Sequence, residues 1–394
     1  MLVGIIGKPS TGKSTFFKSC TLADVDIANY PFTTIKPNRA IGFVRIDCVD
    51  KEFNKQCNPR IGYCIDHKRF VPVELLDVAG LVPGASEGKG LGNQFLDDLR
   101  QADVLVHVVD ISGSTNEKGE PVTPLSYDPL NDVEFLENEI ETWYTTLVTK
   151  GWDKFVRQQK MEHGELFKAV AKQLSGLGVT EDLTDEVLRG FNEDLTKWNN
   201  EDIVSLARIL RQKTKPIIIA ANKIDVPGAE KNIKRIKEKY PDYVIIPCSA
   251  MAELTLRELS KDEKVSYIPG DNNFKILKEL NDKEKKIIEY IDLNILKKFN
   301  STGIQDVLNI AVFDVLKYIV IYPGGVNKLT DSEGRVLPDC FLMKDGSTAL
   351  DFAFKLHTDF GKNFIRAIDV KKRLTVGKDH LLKNKDVIEI VANK

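Results

Sequence analysis

Gly7-Lys8-Pro9-Ser10-Thr11-Gly12-Lys13-Ser14 fits the pattern GxxxxGK[ST] and stands almost at the start of the chain. It follows an apolar run, Leu2 to Ile6, and leads into a helix-like stretch from about Lys13. A plain glycine turn needs neither the lysine nor the hydroxyl at these places. A phosphate cradle needs both. Its backbone N–H groups wrap the phosphates, and the helix N-terminus adds positive potential. In this pattern Lys13 reaches the β- and γ-phosphates, and Ser14 offers its hydroxyl to Mg²⁺. Gly7 to Ser14, with Thr15 behind them, are the expected phosphate contacts, and Lys13 is a candidate catalytic residue.

The apolar runs that follow predict an α/β fold. Val71–Leu76, Val104–Val109, Ile217–Ala221 and Tyr243–Ile246 are short and nearly continuous, and helical stretches separate them. Such strands belong to a parallel sheet covered on both faces. Ligands then bind at the carboxyl ends of the strands. With 394 residues, at roughly 100–200 residues per domain, two or three domains are expected. Far more chain than one crossover helix needs lies between Asp110 and Ile217. Leu136, Ile140, Trp143 and Leu147 share one helical face there, as do Ile203, Leu206 and Leu210. The expected division is a nucleotide-binding domain over 1–113 and 215–318, an inserted helical domain over 114–214, and a small module over 319–394. Trp143, Trp152 and Trp198 are expected to pack between the inserted helices. Helices are expected over 281–299 and over 301–319, the second capped by Ser301 or Thr302, with a boundary at Tyr322-Pro323-Gly324-Gly325. Phe364–Ile368 and Val387–Val391 are strand-like.

Two further motifs fall at predicted strand ends. Asp77-Val78-Ala79-Gly80 is a DxxG: Asp77 holds Mg²⁺ through water, and the Gly80 N–H senses the γ-phosphate. Asn222-Lys223-Ile224-Asp225 is an NKxD, and it selects the base. The Asp225 carboxylate can accept from both the ring N1–H and the exocyclic amine of guanine, a donor pair that adenine lacks. Lys223 can lie over the ring, and Asn222 can brace the loops. After the next strand, Ser249-Ala250 is expected to offer a backbone N–H to the guanine oxygen.

In this order and context the motifs resemble those of the Obg family of GTPases, specifically its YchF-like branch. Asn29-Tyr30-Pro31-Phe32-Thr33-Thr34-Ile35 is similar to that family's switch I, which implies that Thr34 contacts Mg²⁺ and the γ-phosphate. Gly84 to Gly92 resembles its glycine-rich switch II. Lys344-Asp345-Gly346-Ser347-Thr348-Ala349 and His357-Thr358-Asp359-Phe360 are similar to a TGS domain, a β-grasp module. The resemblance covers essentially the whole chain. It implies a Ras-like P-loop NTPase sheet domain with a helical insertion and a C-terminal β-grasp (TGS) module. Relatives of this kind often lose the NKxD aspartate and accept ATP, whereas Asp225 is kept here. The family's P-loop asparagine is replaced by Ser10, which puts K⁺ activation in doubt.

Three functions compete on this reading: a Mg²⁺-dependent GTPase switch acting on ribosome or RNA, an ATPase, and an RNA-binding scaffold with structural nucleotide. Lys355, Lys362, Arg366, Lys371, Lys372 and Arg373 make the last module locally basic, although the formal net charge is only −2. That near balance argues against a general nucleic-acid coat. Six scattered cysteines form no CxxC pair and match neither a zinc knuckle nor a disulfide framework. The expectation is reduced thiols in a cytoplasmic monomer without a signal peptide, whose only metal is Mg²⁺. His107, inside an apolar run, is expected in the core; His67, His163, His357 and His380 are isolated and not expected to bind metal. Where many GTPases place a glutamine after DxxG, this chain has Leu81. Slow phosphate release by the isolated protein at saturating GTP is therefore expected, and a fast intrinsic rate would refute that view of the site.

Overall fold

This computed structural model describes residues 1–21, 38–78, 92–150, 152, 154–157, 165–192 and 194–393. Thr34, Gly80, Leu81, the segment 29–35 and nearly all of 84–92 lie outside the described residues. The chain forms two compact units. The first comprises Met1–Phe17, Leu75–Ala252 and Leu293–Gly303; the second comprises Lys18–Glu74, Glu253–Asp292 and Ile304–Lys394. Residues 114–214 thus lie wholly in the first unit and 319–394 wholly in the second.

The first unit is built on parallel strands. Strand β1 (Leu2–Ile6) is followed by helix α1, which starts at Lys13. β1 pairs in parallel with β5 (Val104–Asp110), β5 with β6 (Ile217–Asn222), and β6 with β7 (Val244–Pro247). β1, β5 and β6 are buried at every position, the pattern of strands covered on both faces. His107 is 3% exposed within β5; burial first, then the nearby Lys8 charge, lowers its pKa to about 3. Its ring is therefore neutral at pH 7.

The inserted region supplies four described helices: Leu130–Thr149, Leu166–Leu174, Glu181–Leu188 and Asn200–Thr214. The last begins at a capping box. Asn199 accepts from the Asp202 N–H, and Asp202 accepts from the Asn199 N–H, so two otherwise orphan donors are satisfied. Leu136, Ile140, Trp143, Ile203, Leu206 and Leu210 are buried as their spacing predicts, and Leu147 packs at the edge. Trp143 and Trp152 are buried, and Trp198 stacks on Phe191 at 5.0 Å between ring centroids. One apolar cluster runs from Leu2, Ile6 and Leu105 of the sheet into these helices. The insertion therefore shares a core with the sheet that carries it.

In the second unit β2 (Arg39–Asp47), β3 (Tyr63–Ile65) and the first part of β4 (Lys68–Asp77) form antiparallel hairpin structure. Asp66 and His67 both have positive φ, 46° and 59°, the conformation of a tight two-residue hairpin turn. The C-terminal sheet has five strands in the order β11-β10-β14-β12-β13. These are β10 (Tyr318–Pro323), β11 (Phe341–Lys344), β12 (Phe364–Asp369), β13 (Leu374–Val376) and β14 (Asp386–Ala392). β10 and β14 are parallel and the other pairs antiparallel. The helix Ala349–Leu356 covers the sheet through Phe352, at a shared core with Ile321 and Ile388.

The helix expected over 281–299 runs from Asp282 to Phe299 with Asn281 as N-cap: α-helical over Asp282–Ile291, π-helical over Asp292–Leu296 and α-helical again over Lys297–Phe299. A second expected helix is shorter than its apolar pattern. The segment expected over 301–319 starts at Ile304, becomes π-helical over Ile310–Val315 and ends before β10. Gly303, at φ 82°, separates Ser301 from that helix, and the Ser301 hydroxyl accepts from the Gly303 N–H. Tyr318 to Tyr322 is sheet because two strands flank it, a non-local cause that periodicity does not carry.

The three tryptophans of the chain all lie in the insertion, so their fluorescence reports on the first unit. Leu206 is fully buried there. Leu206→Ala is expected to cost about 2–5 kcal/mol of stability, measured by urea unfolding followed by tryptophan emission.

Candidate functional site

The carboxyl ends of β1, β4, β5, β6 and β7 meet within the first unit, and the sequence motifs lie on them. In the glycine-rich loop the Thr11 hydroxyl donates to the Lys8 carbonyl at 3.0 Å. The Phe16 N–H donates to the Gly12 carbonyl at 2.8 Å and opens α1. Gly12 has φ 89°, and a Cβ there would stand 2.3 Å from Asn222 Nδ2. A side chain at position 12 is thus excluded by conformation and by space.

Asn222 ties three loops together. Its Nδ2 donates to the Thr11 carbonyl at 2.8 Å, and its Oδ1 accepts from the Ala250 N–H at 3.0 Å. It is 3% exposed, so losing either bond strands a buried polar group at a cost of about 1–3 kcal/mol. The Ser249 hydroxyl donates to Asp225 Oδ1 at 2.8 Å, which orients the carboxylate. Backbone bonds reinforce the arrangement: Ile224 N–H to the Cys248 carbonyl, and Cys248 N–H to the Ala221 carbonyl. The Ser249 N–H donates to the Thr302 carbonyl at 2.9 Å. Both N–H groups expected to face a base oxygen, those of Ser249 and Ala250, therefore have acceptors inside the protein here.

Lys13 and Asp77 are brought together. Lys13 Nζ lies 2.5 Å from Asp77 Oδ1 and 2.6 Å from the Val78 carbonyl. Val78 N–H in turn donates to the Ile5 carbonyl, which sets this strand end beside the glycine-rich loop. Ser14 is exposed. A carboxylate and a hydroxyl are the hard oxygen donors that Mg²⁺ prefers, and the donor set at Asp77 and Ser14 fits that ion.

Asp110, at the end of β5, organises a part of the site that the motifs do not reveal. It is 1% exposed and opposite Asn222 in the parallel ladder. Its carboxylate accepts from the Ser112 hydroxyl at 2.5 Å, Ser114 at 2.8 Å, Thr115 at 2.9 Å and Lys223 Nζ at 2.9 Å. Burial pushes its pKa up, but the hydrogen bonds from Ser112, Lys223 and Ser114 prevail and hold it below the usual value. Lys223, at φ 62°, is thereby held by its ammonium. The sequence signal was a strand-ending aspartate followed closely by three hydroxyls.

Within the glycine-rich loop, Lys8 spends its side chain on the insertion. Its side chain, 6% exposed, turns into the insertion. Nζ donates to the Thr115 carbonyl at 3.0 Å, pairs with Asp132 at 2.7 Å and lies 4.0 Å from the Tyr127 ring centre. Tyr127 donates its hydroxyl to Asp132 at 2.9 Å. A Cβ at Gly119 would stand 2.8 Å from Pro9, so the loop after β5 lies directly on the glycine-rich loop.

The comparisons agree with this architecture. A family model described as 50S ribosome-binding GTPase matches residues 2–143. One described as Obg-like GTPase YGR210-like, G4 motif-containing domain, matches 220–325, and a TGS domain model matches 328–392. A GTP-binding protein of Methanocaldococcus jannaschii is 48% identical over 99% of this chain and 99% of its own. The chain belongs to the Obg-like, YchF-related family of P-loop GTPases. A crystal structure of a GTP-binding protein from Pyrococcus horikoshii superposes with a TM-score of 0.78, at 38% identity, over 100% of both chains. A protein of Buchnera aphidicola named ribosome-binding ATPase YchF is 27% identical over 99% of this chain and 98% of its own. Among the described residues no helix is long and apolar enough to cross a membrane.

The cysteines depart from their expected isolation. Cys48, Cys57 and Cys64 gather with Asp50 in the second unit, through folding that brings distant spacings together.

The Lys8–Asp132 pair is expected to hold the glycine-rich loop to the insertion. Lys8→Met alone is expected to cost about 3–5 kcal/mol, and Lys8→Met with Asp132→Leu much less, because only the single change leaves a buried charge unpaired. Urea unfolding read by tryptophan emission checks both.

Proposed function

We propose that this protein binds GTP with Mg²⁺ and hydrolyses it to GDP and phosphate as a switch that acts on ribosome or RNA. The observation that carries the reading is the Asn222 brace, with Asp225 oriented by Ser249 beside it. A carboxylate held at that loop matches the two N–H donors of guanine and meets no such pair on adenine.

The roles follow from the residues. The backbone N–H groups of Gly7 to Thr15, Pro9 having none, surround the phosphates. Lys13 exchanges Asp77 and the Val78 carbonyl for the β- and γ-phosphates, and its charge offsets what develops on the transferred group. Ser14, Asp77 and Thr34 would hold Mg²⁺, which would supply positive charge to offset that of the phosphates. The Gly80 N–H senses the γ-phosphate. Loss of that phosphate frees the two switch segments. Lys223, clamped by Asp110, covers one face of the base. The Ala250 N–H reaches the guanine oxygen by sharing its hydrogen between that atom and Asn222 Oδ1. The domain division 1–113, 114–214, 215–318 and 319–394 stands with this proposal, as does a cytoplasmic monomer.

An RNA or ribosome partner is supported by the exposed face of the TGS domain. Phe354, Phe360 and Ile365 are exposed in this domain, as are Lys355, Lys362 and Arg366. Aromatic rings for stacking beside cations for phosphates suit single-stranded RNA. Lys371 and Lys372 contribute less to that face, because they pair with Glu52 and Asp369.

The relatives named ATPase make adenine the competing base. Competitive binding of GTP and ATP with Mg²⁺ separates the two readings. GTP is expected to bind more than about tenfold tighter, a difference of about 1.4 kcal/mol, and Asp225→Ala to abolish the preference. Equal affinities would assign the protein to the ATP-using members of the family.

A further inference from the structure

Three thiols and a carboxylate from separate places in the second unit converge on one point. Cys48 directly follows β2, and its N–H donates to the His67 carbonyl at 2.8 Å. Asp50 follows in a short 3-10 turn, Val49–Phe53. Cys57 lies in the loop beyond that turn, and Cys64 sits in β3 opposite Arg69 of β4. Among the described residues, their ligating atoms all lie within 4.8 Å of one another, and the Cys48 and Cys57 sulfurs are 3.5 Å apart. Tetrahedral zinc with Zn–S bonds of about 2.3 Å places its sulfurs about 3.8 Å apart. Only small side-chain adjustments separate the cluster from that geometry.

The surroundings suit a metal as well. Asp50 is fully buried, and each of its oxygens already has one donor. The Cys57 N–H stands 2.8 Å from Oδ2, and His67 Nδ1 is 2.9 Å from Oδ1. Such contacts orient a carboxylate ligand and leave lone pairs for the metal. Arg69 is fully buried with Nη1 3.6 Å from the Cys57 sulfur. Three thiolates and a carboxylate around a dication carry a net charge of −2, and the Arg69 guanidinium offsets part of it. A disulfide would use two of the sulfurs and give no account of the third or of the buried carboxylate.

We propose that Cys48, Cys57 and Cys64, completed by Asp50, form a structural zinc site. Its effect is to hold the β2 end, the 3-10 turn and the β3–β4 hairpin in one arrangement. Arg69 also donates to the carbonyls of Leu337 and Pro338 at 3.0 Å, so the site orders the stretch that leads into β11.

The test uses the full-length protein, purified without chelator from cells supplied with zinc, and metal analysis by mass spectrometry. About one zinc per chain is expected, as for a closed structural site, with loss of the metal in Cys57→Ser and Cys64→Ser and its retention in Cys20→Ala. Because the serine variants can fail to fold, the unaltered protein carries a second measurement. Co²⁺ exchanged for zinc is expected to show thiolate charge-transfer absorption and the intense visible bands of a tetrahedral ion, and bound Zn²⁺ to slow alkylation of the three thiols. Metal-free protein whose thiols react at one rate with and without Zn²⁺ overturns the proposal. So does zinc that survives Cys57→Ser, or a native Cys48–Cys57 disulfide.

Discussion

The buried amide of Asn222 is the contact on which the site depends. One side chain satisfies a carbonyl of the glycine-rich loop and an N–H of the loop after β7. Both groups belong to loops, which lack a ladder of their own, and a buried polar group without a partner is costly. The brace therefore fixes the distance between the phosphate cradle and the loop that carries Asp225. The parallel ladder sets it up, because register places Asp110 opposite Asn222 at the end of two neighbouring strands. Gly12 completes it, since any larger residue would enter the space of the amide.

The insertion is bound to this arrangement in two ways. Its helices continue the apolar core of the sheet, and its entry loop carries the polar contacts of Asp110 and Lys8. Asp110 ends β5 and Lys8 lies two residues past β1, and both are bound by the inserted segment rather than by solvent. Such buried pairs add little net stability compared with apolar packing. They do hold the loop after β5 against the glycine-rich loop.

Much of the site was legible from the chain because its motifs are contiguous. GxxxxGK[ST], DxxG and NKxD each sit at a strand end that apolar runs identify, and β1, β5, β6 and β7 form near those runs. β2 was missed although Ile41, Phe43 and Val44 mark it, because its alternation is imperfect. The helix expected up to residue 319 overran β10, since an apolar run does not say whether neighbours will make it sheet. The motif says nothing of where the Lys8 side chain goes; Thr115, Tyr127 and Asp132, far along the chain, hold it.

The sequence by itself determined the parallel α/β fold, the glycine-rich P-loop, the NKxD motif at the end of β6 and the C-terminal β-grasp module, because backbone conformation and side-chain chemistry over a few adjacent residues suffice for each. Tertiary structure alone decided which partners Asn222, Asp110 and Lys8 take, and that three cysteines without a metal-binding spacing share one pocket with Asp50. These groups are separated along the chain, and only strand register, hairpin closure and the burial of charge bring them within bonding distance.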